Sequence, residues 1–112
     1  MNLKEGSLDQ TFIALADPTR RAILARLNEG HARVTEIAEP FPISLNSVSK
    51  HIRLLERAEL IKRDRIGRDH VISLNPNGLD EAAAWIEETQ AFWLARFDTL
   101  NRLLKSRKSA DR

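Results

Sequence analysis

Apolar residues recur along this chain at a spacing that is first helical, then alternating, then helical again. Leu8, Phe12 and Leu15 lie four and three apart, which predicts a short helix ending near Ala16. Asp17 offers a side-chain acceptor for unpaired amides, and Pro18 presets φ at a first helical position. A second helix therefore starts there, buries Ile23, Leu24 and Leu27, and ends at Asn28-Glu29-Gly30. Val34 to Glu39 reads as a short third helix with Thr35 as its cap, broken by Pro40-Phe41-Pro42, with Phe41 as a core plug. Ser44 caps a fourth helix by accepting from the amide of Ser47, and Pro42 keeps the preceding chain from extending it. On that helix Val48, Ile52 and Leu55 share one stripe, while Asn46, Lys50, Arg53 and Arg57 project from the opposite side.

The period changes at Leu60. From Ile61 to Leu74 the pattern is that of two short antiparallel strands: Ile66-Gly67-Arg68 supplies a turn, and His70, Ile72 and Leu74 alternate with Asp69, Val71 and Ser73. After the linker Asn75-Pro76-Asn77-Gly78 the helical period returns and runs to about Leu104. Leu79, Ala82, Ile86, Trp93, Phe97, Leu100 and Leu104 form its stripe, and Trp85, Phe92 and Leu103 make that stripe wider than packing on a small domain requires. Part of it is expected to lie against a second copy. The expected dimer interface joins Leu8 and Phe12 of the first helix to Trp85, Phe92, Trp93 and Leu100 of the last. Phe92 and Trp93 also suit a ligand pocket, although their helical spacing favours packing.

These elements predict a mainly α chain with a small β-hairpin wing, a winged helix-turn-helix of four helices, a hairpin and a fifth helix, dimerising through its terminal helices. A single domain is expected over residues 1–112, with a DNA-binding core at 8–74, a dimerisation helix at 79–104 and a frayed basic tail at 105–112. Short polar side chains in the first turns of the Ser44 helix allow close approach to a major groove. Asn pairs bidentately with adenine, and Lys or Arg reaches guanine or phosphate. In the wing, Arg63, Arg65 and Arg68 are placed for phosphate or a minor groove. Arg20, Arg21 and Arg26 read as the solvated side of the second helix, with phosphate or a partner subunit as an alternative for Arg20 and Arg21.

Charge sharpens this picture. The net charge is only +2, but seven Lys/Arg face four acids from Ser44 to Leu74, one Arg faces five acids from Leu79 to Asp98, and five Lys/Arg face one acid from Asn101 to Arg112. A basic reading unit is thus set apart from an acidic helix body. At 112 residues the chain buries only about two thirds of its unfolded surface, which again favours a partner copy. There is no cysteine, which excludes disulfides and thiolate metal sites. No stretch approaches the roughly 20 apolar residues that span a bilayer, and Met1 to Gln10 has no signal-like apolar core. The expectation is a soluble, cytoplasmic protein without membrane partner, metal or cofactor. His31, His51 and His70 fall on different elements, and Glu87, Glu88 and Asp98 lack imidazole or thiolate companions. No Gly-rich phosphate loop, cysteine nucleophile or local Ser/His/Asp order is present, so no enzyme is expected.

Leu15 to Leu27 (LADPTRRAILARL), Val34 to Ala38 (VTEIA), Ser44 to Ile61 (SLNSVSKHIRLLERAELI) and the Arg65–Arg68 wing (RIGR) resemble the ArsR/SmtB family of bacterial winged-helix repressors, over roughly Leu8 to Leu74. The pattern of Trp85, Phe92-Trp93 and Leu100 resembles a branch that commonly lacks the metal sites. The resemblance implies a homodimer that binds double-stranded operator DNA near its own promoter and leaves it when an inducer, a small molecule or a protein, binds. By position, it implies reading-helix contacts from Leu45, Asn46, Ser47, Ser49, Lys50, His51 and Arg53, and wing contacts from Arg65 and Arg68. His51 lies at the edge of the buried stripe, where packing and a base contact are both open. Many members hold a thiolate site in the short helix or a histidine and acid site on the last helix. This chain has Thr35-Glu36-Ile37-Ala38-Glu39 at the first and no histidine after His70. The alternatives are a winged-helix module for protein contact and a metal-responsive repressor with an atypical site.

Overall fold

The computed structural model describes residues 3–110, with side chains over 6–107. The helices are α1 (Leu3–Leu15), α2 (Pro18–Leu27), α3 (Val34–Ala38), α4 (Leu45–Arg57) and α5 (Asp80–Ala110); the strands are β1 (Ala32–Arg33), β2 (Ile61–Ile66) and β3 (Asp69–Leu74). The chain divides into a unit ending at Asp80 and a second unit beginning at Glu81. No described helix is long and apolar enough to cross a membrane.

In the first unit the two predicted caps hold. The Asp17 carboxylate accepts from the Arg20 amide at 3.0 Å, and the Ser44 hydroxyl accepts from the Ser47 amide at 3.1 Å. The cap of α3 differs from the expected Thr35, which lies inside the helix. Arg33 is the N-cap residue, and the Glu36 carboxylate accepts from its amide at 3.0 Å. A negative side chain at the third helical position reaches back to that amide, whereas the Thr35 hydroxyl lies two residues past the cap position.

Ile23, Ile37, Val48, Ile52, Leu55 and Ile72 are fully buried and form one cluster with Ala14, Leu27, Ala32, Leu60 and Ile61. Phe41 packs on it from the turn before α4, as its flanking prolines suggested. The sheet order is β1-β3-β2, all antiparallel. The short β1 strand pairs Ala32 with Ile72 and Arg33 with Val71 and ties the hairpin base to the core. Beyond that base the hairpin is open: in β2 only Ile61 is buried, and every residue from Asp64 to His70 is exposed. Gly67 takes φ of +64° at the turn, a conformation that costs glycine little.

Helix α4 ends in a Schellman turn. The Leu60 amide donates to the Leu55 carbonyl at 3.1 Å and the Glu59 amide to the Glu56 carbonyl at 2.9 Å, with Glu59 left-handed at φ +59°. The Asn75 side chain donates to the Glu59 carbonyl at 2.7 Å, and Gly78 lies so close that a Cβ there would sit 2.8 Å from the same oxygen. Because that oxygen is backbone, the clash cannot be relieved by a rotamer. Gly78→Ala is therefore expected to destabilise the first unit by about 1–3 kcal/mol in urea unfolding; unchanged stability would show that this turn yields freely.

In the second unit, α5 starts near the expected Leu79 but continues to Ala110, so the described part of the basic tail is helical rather than frayed. Trp85, Ile86, Phe92, Trp93, Leu94, Phe97, Leu100, Leu103 and Leu104 are all about half exposed or more. On this helix Arg96 lies over the Phe92 ring at 5.5 Å, and Arg102 pairs with Asp98 at 3.1 Å. Both pairs are local to the helix and leave most of the apolar stripe uncovered.

Candidate nucleic-acid interface

The inner side of α4 is the best buried surface in the first unit, and this fixes which side faces outward. Burying Val48, Ile52 and Leu55 turns Asn46, Lys50, Arg53 and Arg57 to solvent, and all four are exposed. Leu45 opens the helix half exposed, next to Ile43, also exposed. Among the described residues Lys50, Arg53, Arg57 and Arg68 take part in no ion pair. Unpaired cations on a rigid convex helix are available to an external anion.

Two concavities border this face. One, of about 260 Å³, brings Leu45 and Ser49 of α4 together with Arg68 of the wing; Arg33, Val34, Thr35, Arg63, Asp69 and His70 complete its wall. The other, of about 250 Å³, is lined by Lys50, Arg53, Leu54 and Arg57. Reading helix and wing thus share one surface, as their order in the sequence suggested. Arg33, Thr35 and His70 were not among the expected contacts. The first two join through the β1–β3 pairing, which has no local signature, and His70 is placed by the strand register opposite Arg65.

Several expected contacts are already engaged within the chain. The Ser44 hydroxyl donates to that of Ser47 at 3.0 Å, so Ser47 belongs to the helix cap. Arg65 donates from Nε to the Gly67 carbonyl at 3.3 Å, which lays its side chain along the wing turn. Arg63, expected at phosphate, instead grips Glu56 of α4, with Nη2 at 2.7 Å and Nε at 3.2 Å from its carboxylate oxygens. This half-buried fork braces the wing against the reading helix. Arg20 and Arg21, read as solvated, turn back to the end of α1. Arg20 donates to the Ala14 and Ile13 carbonyls, both at 2.8 Å, and Arg21 to Leu15 at 2.7 Å. The last carbonyls of a helix have no partner within it, and although Ile13 also accepts from the Ala16 amide at 3.2 Å, the two nearby guanidinium groups are drawn to this end of α1. His51 is half-buried, with Nδ1 at 3.3 Å from Arg20 Nη1 and 3.9 Å from Asp17 Oδ2.

The backbone amide of Arg20, supported by its guanidinium and opposed by burial, holds the Asp17 carboxyl below the usual carboxylate range. The amide and then the guanidinium of Arg33 do the same for Glu36, and the Glu36 hydrogen bond keeps Arg33 more firmly charged. A carboxyl whose folded pKa is lowered stabilises the fold above its unfolded pKa, and that contribution is lost as pH falls through the folded value. Asp17→Asn keeps a cap acceptor without the charge. Its stability is expected to fall less on acidification than that of the parent, as read by urea unfolding at pH 7 and pH 3; equal acid losses would remove the charge of Asp17 from the account.

No group of three or more His, Cys, Asp or Glu suited to a metal ion occurs among the described residues. The donor set at the short helix, Glu36 and Glu39 without imidazole or thiolate, does not fit a transition-metal site, and Glu36 is already committed to Arg33.

Comparison with known proteins bears on the family and the fold. A helix-turn-helix domain family matches residues 15–64. The chain is 40% identical over 87 residues to the HTH-type transcriptional regulator Rv2034 of Mycobacterium tuberculosis, covering 78% of each. It is 39% identical over 79 residues to the transcriptional repressor SdpR of Bacillus subtilis, covering 70% of this chain and 88% of that one. Among solved structures, that of an ArsR family transcriptional regulator aligns with a TM-score of 0.76 at 40% identity, over 83% of this chain and 96% of the other.

Proposed function

The chain belongs to the ArsR family of winged helix-turn-helix transcriptional regulators, DNA-binding proteins rather than enzymes, and from that premise we propose that it is a homodimeric repressor of an inverted-repeat operator. The observation that carries the reading is the outer face of α4: Asn46, Lys50 and Arg53 exposed, the two cations in no ion pair among the described residues, beside a wing that presents Arg68. Leu45, Asn46, Ser49, Lys50 and Arg53 enter the major groove, where they meet base edges. Arg65 and Arg68 meet the flanking backbone or minor groove, and Ser47 and His51 lie at the margin of the contact.

Dimerisation through the apolar stripe of α5, with Leu8 and Phe12 of α1, presents two copies of this face to one duplex. Two reading helices about 34 Å apart match successive major grooves and hence an inverted repeat. The residues at 1–112 then act as one functional domain, 8–74 reading DNA and the last helix pairing copies. Repression follows from occupying the operator. The signal for release is a non-metal one, consistent with the poor donor sets described above.

The test is binding of the purified protein to the DNA upstream of its own gene, at two salt concentrations and with and without a chelator. Tight binding to one segment, insensitive to chelator and weakened steeply by salt, is the expected result. Loss of binding in chelator would overturn the non-metal reading. Equal binding to all DNA at both salts would overturn operator recognition and favour a protein partner for α4.

A further inference from the structure

One guanidinium joins three helices of the first unit. Arg20 sits in the first turn of α2, and its own amide is held by the Asp17 cap. Its Nε and Nη2 donate to the Ala14 and Ile13 carbonyls at the end of α1, both at 2.8 Å. Its remaining arm, Nη1, lies 3.3 Å from Nδ1 of His51 in the middle of α4.

The chemistry of this contact is constrained. A guanidinium has five N–H donors and no acceptor, so it bonds Nδ1 through the lone pair of the ring. The contact therefore fixes where the ring lies, beside the Asp17 carboxylate, whose Oδ2 is 3.9 Å from the same nitrogen. His51 follows Lys50 directly and lies one turn from Ser47, within the part of α4 assigned to DNA. A helix can rotate slightly about its own axis without leaving its groove; the Arg63–Glu56 fork ties α4 to the wing, whereas toward α1 and α2 its buried aliphatic stripe resists rotation through apolar packing, whose attraction is not directional. A polar link of fixed geometry supplies the missing direction.

We infer that Arg20 is a positioning residue for operator recognition: through His51 it sets the rotation of the reading helix relative to α1 and α2, and it makes no contact with DNA itself. This rests on the operator-binding reading above. It also separates Arg20 from the solvated cations, because a phosphate contact and a positioning role have different signatures. Removing a phosphate contact weakens all DNA binding and lowers the salt slope by about one; removing a positioning residue lowers operator affinity alone and leaves the slope unchanged.

The experiment compares the parent, Arg20→Lys, His51→Leu and the double variant on operator and on unrelated duplex DNA across a salt series. Lysine keeps the positive charge but cannot span both carbonyls and the imidazole. The expected result is a loss of operator affinity on the order of tenfold for Arg20→Lys, with binding to unrelated DNA unchanged; the salt slope is read on Arg20→Gln, which removes the charge, and is expected to equal that of the parent. The double variant is expected to be no weaker than the poorer single one, because both break the same link. Melting curves accompany each variant. Should Arg20→Lys be unfolded at the assay temperature, Arg20→Gln, which keeps an N–H donor for the α1 carbonyls, carries the same comparison.

Operator affinity unchanged in the folded Arg20 variant, a reduced salt slope, or additive losses in the double variant would overturn the inference while leaving operator binding by the parent in place. A parent protein without operator preference overturns the functional reading, and this inference with it.

Discussion

Trp93→Asp is expected to turn a dimer into a monomer and to abolish operator binding at concentrations where the parent is saturated. Trp93 is 58% exposed and shares the stripe of α5 with Ile86, Phe97 and Leu100, all similarly open. In a two-fold interface the same patch is used by both subunits, so each substitution acts twice. Losing the burial of one large apolar side chain costs about 1.5–3 kcal/mol, hence about 3–6 kcal/mol per dimer. That corresponds to a dimer weaker by about 10²–10⁴-fold, before the cost of desolvating two carboxylates is added. Operator affinity falls with it, because a monomer engages one half-site and loses the advantage of a second linked contact. Sedimentation equilibrium measures the first effect and operator titration the second. Circular dichroism is expected to keep its helical signal, because Trp93 lies outside the buried cluster of the first unit. A parent chain that sediments as a monomer, or a variant that remains dimeric, would refute dimerisation through this stripe.

The second large effect is expected at Lys50 and Arg53. Both are exposed, and neither has an ion-pair partner among the described residues, so replacement by Ala should leave folding stability within about 0.5 kcal/mol. The effect on DNA is different. A bidentate contact to a base contributes about 1–3 kcal/mol of discrimination, and a symmetric dimer makes it twice. A loss of about 2–6 kcal/mol, or roughly 30-fold to 10⁴-fold, is expected on the operator for the residue that reads a base. The salt series tells the two roles apart. A base-reading cation relaxes the preference at one position of each half-site with little change of slope. A phosphate-bound cation, when removed, weakens binding to every sequence and lowers the slope by about one for each phosphate no longer neutralised. Undiminished operator affinity in both variants would remove α4 from the DNA interface. The role of Arg63 makes a useful contrast. Its fork on Glu56 joins wing to helix, so its loss acts through geometry rather than through a missing phosphate contact.

The difference between Arg53 and Arg63, two arginines both expected to meet DNA, shows what could be read without the fold. Local physics was legible. Asp17 and Ser44 cap their helices because the acceptor, the following amides and the nearby prolines all lie within a few residues. The outer face of α4 followed from helical period alone, once Val48, Ile52 and Leu55 were taken as its inner side. The hairpin followed from alternation and Gly67, and the uncovered stripe of α5 from a periodicity too apolar for a small domain.

What the fold alone decided involves partners distant in sequence or competing donors of equal reach. Strand β1 is two residues long and has no pattern of its own; only pairing with Ile72 and Val71 makes it a strand and brings Arg33 and Thr35 to the reading face. Thr35 was the expected cap of α3, and the Glu36 carboxylate, by holding the Arg33 amide and guanidinium, moved the cap to Arg33. Arg20, Arg21 and Arg63 bear the same guanidinium as Arg53, yet they are engaged within the chain because carbonyls at the end of α1 and the Glu56 carboxylate lie within reach. Sequence determines which residues are charged and which helix face is wet, since both are properties of neighbours along the chain. Which of those charges remains unspent for DNA is a property of neighbours in space, and packing alone assigns them.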